Sequence, residues 1–219
     1  MRRAAAVALI VGLVLAAPAA GSTILDYLTF DGIDYVRWPE EPGRSLTRAD
    51  LGLEFASVEC SFGEDLRGCP FGRDASAAFL PAGTRVFSVR GHDTSFRLAA
   101  VWQDRIFLYQ AWRNPRARTG GELWPLAGKV RAIEVRRGER APRTAIPASD
   151  VDALTAMVVR APTVRPQPRP FGEARYWLTF WLMDGTALNR PYFPDAGELM
   201  GGVVVPPAFR DVVERSLTD

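Results

Sequence analysis

The chain has 219 residues, 47% hydrophobic and 24% charged, ordinary values for a folded globular protein that exclude wholesale disorder. Its 27 basic and 25 acidic residues leave a formal charge of only +2, which excludes a dedicated nucleic-acid binder whose affinity rests on a cationic face paired with phosphates. One histidine and two cysteines cannot fill a four-ligand zinc shell without carboxylates, so no metal and no cofactor is expected.

The chain opens with MRRAAAVALIVGLVLAAPAA: Arg2 and Arg3, an uncharged apolar run from Ala4 to Leu15, and a small-residue Ala17-Pro18-Ala19 site. This pattern predicts a signal peptide over 1–20, cleaved near Ala19 or Ala20, and hence a secreted or extracytoplasmic protein with no membrane span after cleavage. The run approaches the roughly 17 to 25 residues of a spanning helix, but Pro18 breaks it and no basic stop-transfer cluster follows. The first cysteine is Cys60, too late for a lipoprotein anchor. Cleavage removes Arg2 and Arg3, leaving a formally neutral mature chain. Its length suits a β-rich part over 21–118 and an α+β part over 119–219.

In the first part, 24–38 alternates loosely around Asp31-Gly32, the strongest short hairpin signal, and predicts two strands. Leu51 to Cys60 reads as a third strand and feeds the loop SFGEDLRG, bracketed by Cys60 and Cys69. Two such cysteines in an oxidising compartment are expected to pair, whereas C-x-x-C spacing, which poises a reactive thiol, is absent. Ser76 to Leu80, Arg85 to Arg90, Phe96 to Trp102 and Ile106 to Trp112 follow as short strands with turns at Pro81-Ala82-Gly83, Gly91 to Thr94 and Gln103-Asp104. Short strands at this spacing predict an antiparallel small barrel or sandwich.

In the second part, Lys129 to Arg136 carries Val130, Ile133 and Val135 and predicts a strand. Val151, Leu154 and Val158 recur at helical spacing behind Ser149, read as an N-cap, with Asp150 and Asp152 in the first turn. Pro162 stops that helix, and APTVRPQPRPFG forms an extended connection in which no PxxP occurs. Arg175 to Met183 is the clearest strand, turned by Asp184-Gly185 into a partner over Thr186 to Phe193. Pro206-Pro207 open a last helix with Phe209, Val212, Val213 and Leu217 on one face. The part thus reads strand, helix, hairpin, helix, giving a β-rich α+β fold for the whole.

Few residues point to catalysis. His92, the one histidine, sits in Gly91-His92-Asp93-Thr94, a turn context, and no G-x-S-x-G elbow, zinc helix or phosphate loop is present. A carboxylate pair could be built from 25 acidic residues without any local pattern. The aromatic residues are more specific: in YWLTFWL, Tyr176, Leu178, Phe180 and Leu182 share one face and Trp177, Thr179 and Trp181 the other. A strand buried on both sides explains this, with helices over one face and the β-rich part over the other. The alternative is an exposed tryptophan platform. Segment 113–143 adds nine basic residues against three acidic, including Arg136 and Arg137. Trp112, Trp124, Arg136, Arg137, Trp177 and Trp181 are therefore the candidate binding surface, and no catalytic residue is assigned.

Phe79 to Thr84, the alternating strands after it and Phe96 to Ala100 are similar to segments of uncharacterised exported proteins of Gram-positive and related bacteria. The resemblance implies export and brings no site residues with it. The expectation is a non-catalytic protein that binds an anionic cell-envelope polymer or a surface protein, with no nucleic acid. The alternatives are a small secreted carboxylate-dependent hydrolase and an accessory subunit of a surface complex.

Overall fold

A computed structural model describes residues 25–38, 42–65, 67–138, 141–166 and 176–218. The expected signal peptide and the rest of the proline-rich connection lie outside these residues.

The β-rich part is one sheet. β1 (Asp26–Phe30) and β2 (Ile33–Arg37) form the expected hairpin. Positive φ at both Asp31 (52°) and Gly32 (69°) gives the turn the twist that two-residue hairpins require. A 3-10 turn at Arg48–Asp50 leads into β3 (Leu51–Ser57), then β4 (Cys60–Ser61), β5 (Ser76–Ala77), β6 (Arg85–Val89), β7 (Arg97–Trp102) and β8 (Arg105–Arg113). The turn between β7 and β8 repeats the geometry of the first without a glycine, at Gln103 (φ 49°) and Asp104 (φ 57°).

The strand order is β3-β6-β7-β8-β2-β1-β5-β4. Its two ends, β3 and β4, are halves of one run, Leu51 to Ser61. Val58 exchanges backbone hydrogen bonds with Gly83 and Thr84 ahead of β6, while the Glu59 amide donates to the Ala75 carbonyl ahead of β5. The sheet therefore curls back on itself into a half-barrel. All pairings are antiparallel except β4 with β5. Cys60 and Cys69 form a disulfide, with Cα atoms 5.6 Å apart.

The second sheet has the order β10-β9-β11-β12-β13-β14 and is antiparallel throughout. Its strands are β9 (Val130–Arg137), β10 (Thr144–Ala145), β11 (Tyr176–Leu182), β12 (Ala187–Phe193), β13 (Glu198–Leu199) and β14 (Val203–Val204), with α1 (Gly120–Leu123), α2 (Ala148–Arg160) and α3 (Pro207–Arg215). Pro147, not Ser149, caps α2, and Ser149 lies within its first turn. Proline holds the extended backbone that a cap needs and supplies no side-chain bond. The β11–β12 turn spans three residues, Met183, Asp184 and Gly185, with only Gly185 at positive φ (82°).

β11 is buried on both faces, as alternation predicts. Tyr176, Leu178, Phe180 and Leu182 join a core with Val151, Leu154 and Val158 of α2 and Phe209 and Val213 of α3. Trp177 joins a second cluster with Tyr27, Val36, Trp38 and Ala78 from the curled sheet. The larger core also contains Leu28, Tyr35, Leu98 and Tyr109, so side chains from both sides of position 118 share it.

Candidate functional site

β9 lies directly beside β11 and carries three arginines of the basic segment, Arg131, Arg136 and Arg137. Arg136 is opposite Trp177 in the register, and its guanidinium lies over the Trp177 ring, 5.2 Å from its centroid. A bulge at Trp181/Leu182 shifts the pairing, and there Arg131 lies over Trp181 at 5.5 Å. On the helix-covered face, Arg137 stands 6.0 Å from Tyr176. The three arginines of β9 thus lie over aromatic rings of β11. A cation over an aromatic face keeps its charge while its hydrocarbon stem covers apolar surface.

The six candidate surface residues separate by burial. Arg137 is exposed, and Arg136, Trp181 and Trp112 keep part of their surface. Trp177 is only 4% exposed, wedged edge-on against Trp38 with centroids 5.4 Å apart. Trp124 is fully buried; its Nε1 donates to the Ala111 carbonyl at 2.8 Å, and Arg190 lies 5.1 Å over its ring. Trp124 and Trp177 are therefore core side chains, because their flat rings fill the space between the sheets. The Trp181 indole N–H is buried without a hydrogen-bond partner among the described residues. An ordered water or a ligand oxygen would complete it.

A second polar cluster, not anticipated from the sequence, joins the two sheets. The His92 ring, 5% exposed, points its Nε2 at Asp184 Oδ2, 2.8 Å away. The carboxylate can only accept, so this contact is made by the tautomer protonated on Nε2, and Arg97 Nη1 stands 3.3 Å from the same nitrogen. Asp184 Oδ1 accepts from both the amide and the hydroxyl of Thr186, at 2.9 and 2.6 Å. Arg97, fully buried, donates to Thr186 Oγ1 at 2.6 Å and to the Ala187 carbonyl at 3.0 Å, and Gln110 donates to the same carbonyl at 2.7 Å.

Burial, reinforced by the Arg97 charge, pushes the His92 pKa below its usual value, with Asp184 opposing in part. Burial alone would raise the Asp184 carboxyl, but hydrogen bonds from Thr186 and His92 and the nearby Arg97 hold it down to about 2. The cluster is thus a neutral imidazole on an anionic carboxylate. Catalysis of the serine-hydrolase kind would need a hydroxyl on the other imidazole nitrogen. Here the Thr186 hydroxyl is bound to the carboxylate, and His92 Nδ1 is buried without a partner among the described residues. The arrangement locks two sheets together. His92 was legible only as a turn residue, and its partner lies 92 positions away in another turn.

No group of three or more histidine, cysteine or carboxylate side chains among the described residues is placed to hold a metal ion. No helix among them is long and apolar enough to cross a membrane. Comparison with known protein families, curated proteins and solved structures finds no match to this chain.

Proposed function

We propose that the chain is an exported, non-catalytic protein that binds an anionic polymer of the cell envelope along the arginine–aromatic strip of β9 and β11. The observation that supports this best is the exposed Arg131 lying over the part-exposed Trp181 ring, with Arg136 and Arg137 further along the same strand. Aromatic rings offer sugar rings an apolar face, and guanidinium groups take carboxylate or phosphate oxygens in a fixed fork. The Cys60–Cys69 disulfide is compatible with an oxidising compartment, in keeping with the expected leader. The same strip also suits an accessory subunit of a surface complex, in which a partner would cover Trp181 and complete its indole N–H.

The test is titration of the mature chain with polyglycerol phosphate and polygalacturonate, with neutral dextran as control, at two salt concentrations. Binding of an acidic polymer that weakens with salt, and falls about a hundredfold or more in an Arg131→Ala/Arg136→Ala variant, is expected if each of the two lost charge-assisted contacts is worth roughly 1.5 kcal/mol or more. Equal binding by variant and parent, or equal affinity for dextran, refutes the proposal. If a folded chain binds neither polymer but forms a stoichiometric complex with an envelope protein that Trp181→Ala abolishes, the subunit reading replaces it.

A further inference from the structure

Polar contacts from three segments seat the β11–β12 turn on the first sheet. His92, in the β6–β7 turn, reaches Asp184 Oδ2. Arg97, which opens β7, stands 3.7 Å from the same oxygen and donates to the Thr186 hydroxyl and the Ala187 carbonyl. Arg44, ahead of β3, donates through its amide to the Gly185 carbonyl at 3.0 Å and through Nε to the Asp184 carbonyl at 2.6 Å. Its guanidinium is fixed in turn by both oxygens of Asp50. The turn buries little apolar surface of its own: Met183 is 66% exposed, and Asp184 and Gly185 also reach solvent. A segment held by hydrogen bonds instead of buried apolar surface opens locally at a lower cost than the core.

The seat suits a neutral imidazole and not a charged one. A second proton must go on Nδ1, which is buried with no acceptor beside it among the described residues. Asp184 is already shared with Arg97, so an imidazolium would put a second cation on one carboxylate. The other charges around the ring do not change that balance. Lys129, ahead of β9, adds a weaker repulsion, Arg44 behind Asp184 is paired with Asp50, and Asp93, next in the same turn, is exposed. Burial and Arg97 thus hold the His92 pKa down against the pull of Asp184. A proton that the closed seat disfavours drives the ring toward solvent as pH falls. Asp184, held at about 2, stays charged throughout that change.

We infer that His92, Asp184 and Arg97 form an acid-opened latch: closed at neutral pH, it seats the β11–β12 turn on the first sheet, and a second proton on His92 releases that turn while the shared core stays packed. The core is held elsewhere, by Trp38 against Trp177 and by the larger cluster that joins Leu28, Tyr35 and Leu98 to Leu178 and Phe180. Opening therefore starts at the end of β11 that carries Trp181. The latch does not depend on the polymer reading.

The test is amide hydrogen exchange of the mature chain from about pH 7.5 to about pH 4.5, each rate converted to a protection factor at its own pH, beside the ring-nitrogen shifts of His92. The Arg44 amide, which donates to Gly185, and the Thr186 amide, which donates to Asp184, report on the seat. Both are expected to lose protection at least about threefold in step with the second proton on the ring, and at most about tenfold per pH unit because one proton is taken up. Amides within β11 are expected to keep theirs. His92→Gln, whose side-chain amide can donate to Asp184 and does not titrate, is expected to hold the seat closed across the whole range. If that variant does not fold, the coincidence of the two wild-type curves decides alone. A ring that gains its second proton with no change at Arg44 and Thr186, or a loss that persists in His92→Gln, overturns the inference. So does an equal loss throughout β11, or a ring whose protonation does not change over the range.

Discussion

Replacing Trp124 by phenylalanine tests whether this residue belongs to the core or to a binding surface. The indole is fully buried, donates to the Ala111 carbonyl at 2.8 Å and lies beneath Arg190. Ala111 O also accepts from Arg190 Nη2 at 2.9 Å, so loss of the indole N–H leaves no orphaned carbonyl, and the lost bond costs only about 1 kcal/mol. Shrinking the ring opens a void worth roughly 1 kcal/mol, and a weaker cation–π contact adds about 0.5 kcal/mol. Trp124→Phe should therefore lose about 2 to 3 kcal/mol in urea unfolding, or roughly 4 to 12 °C in Tm for a chain of this size. Affinity for an acidic polymer should not change once the folded fraction is corrected for. A loss under 0.5 kcal/mol, or a fall in affinity without a fall in stability, would show that Trp124 is not the buried anchor described here.

Three further outcomes follow from the same coordinates. Reducing Cys60–Cys69 should cost roughly 2 to 3 kcal/mol, since the bridge closes a short loop, and melts with and without reductant will show it. Stability should fall on acidification in two stages: His92, whose folded pKa is lowered, favours the unfolded chain as pH drops below about 6.5. Asp184, held at about 2, gives up its contribution between about pH 4 and 2. His92→Gln should remove the upper stage of a stability–pH curve and leave the lower one. Gly201→Ala should destabilise by at least about 2 kcal/mol, because a Cβ would lie 2.7 Å from the Trp112 carbonyl and 2.9 Å from the Trp124 ring at a φ of +120°; thermal melting measures it.

The longer elements were readable from periodicity. The two faces of β11 follow from strict alternation, and α2 and α3 from apolar residues at helical spacing, because each buries one continuous face. The pieces that escaped are too short to show a period: β10, β13 and β14 have two residues each. α1 was hidden for another reason. Its Gly120-Gly121 reads as coil, yet a Cβ at Gly120 would lie 2.1 Å from the Val158 carbonyl and one at Gly121 2.8 Å from the Val159 side chain. These glycines serve close helix approach, not chain flexibility.

Part of the site was legible and part was not. Arg136 beside Trp177 follows from two adjacent strands once their register is known. Which tryptophans stay exposed depends on what packs on them, and Trp38, the residue against Trp177, gives no such signal in sequence.

Native mass spectrometry of the protein recovered from its own host's envelope tests the central claim most directly. The account predicts a chain shortened near Ala19 or Ala20, lighter by two hydrogens for the disulfide, and carrying an acidic glycan or polyol-phosphate chain that high salt strips away. A full-length chain with its leader, or a cleaved chain that carries no anionic polymer at low salt, would contradict it.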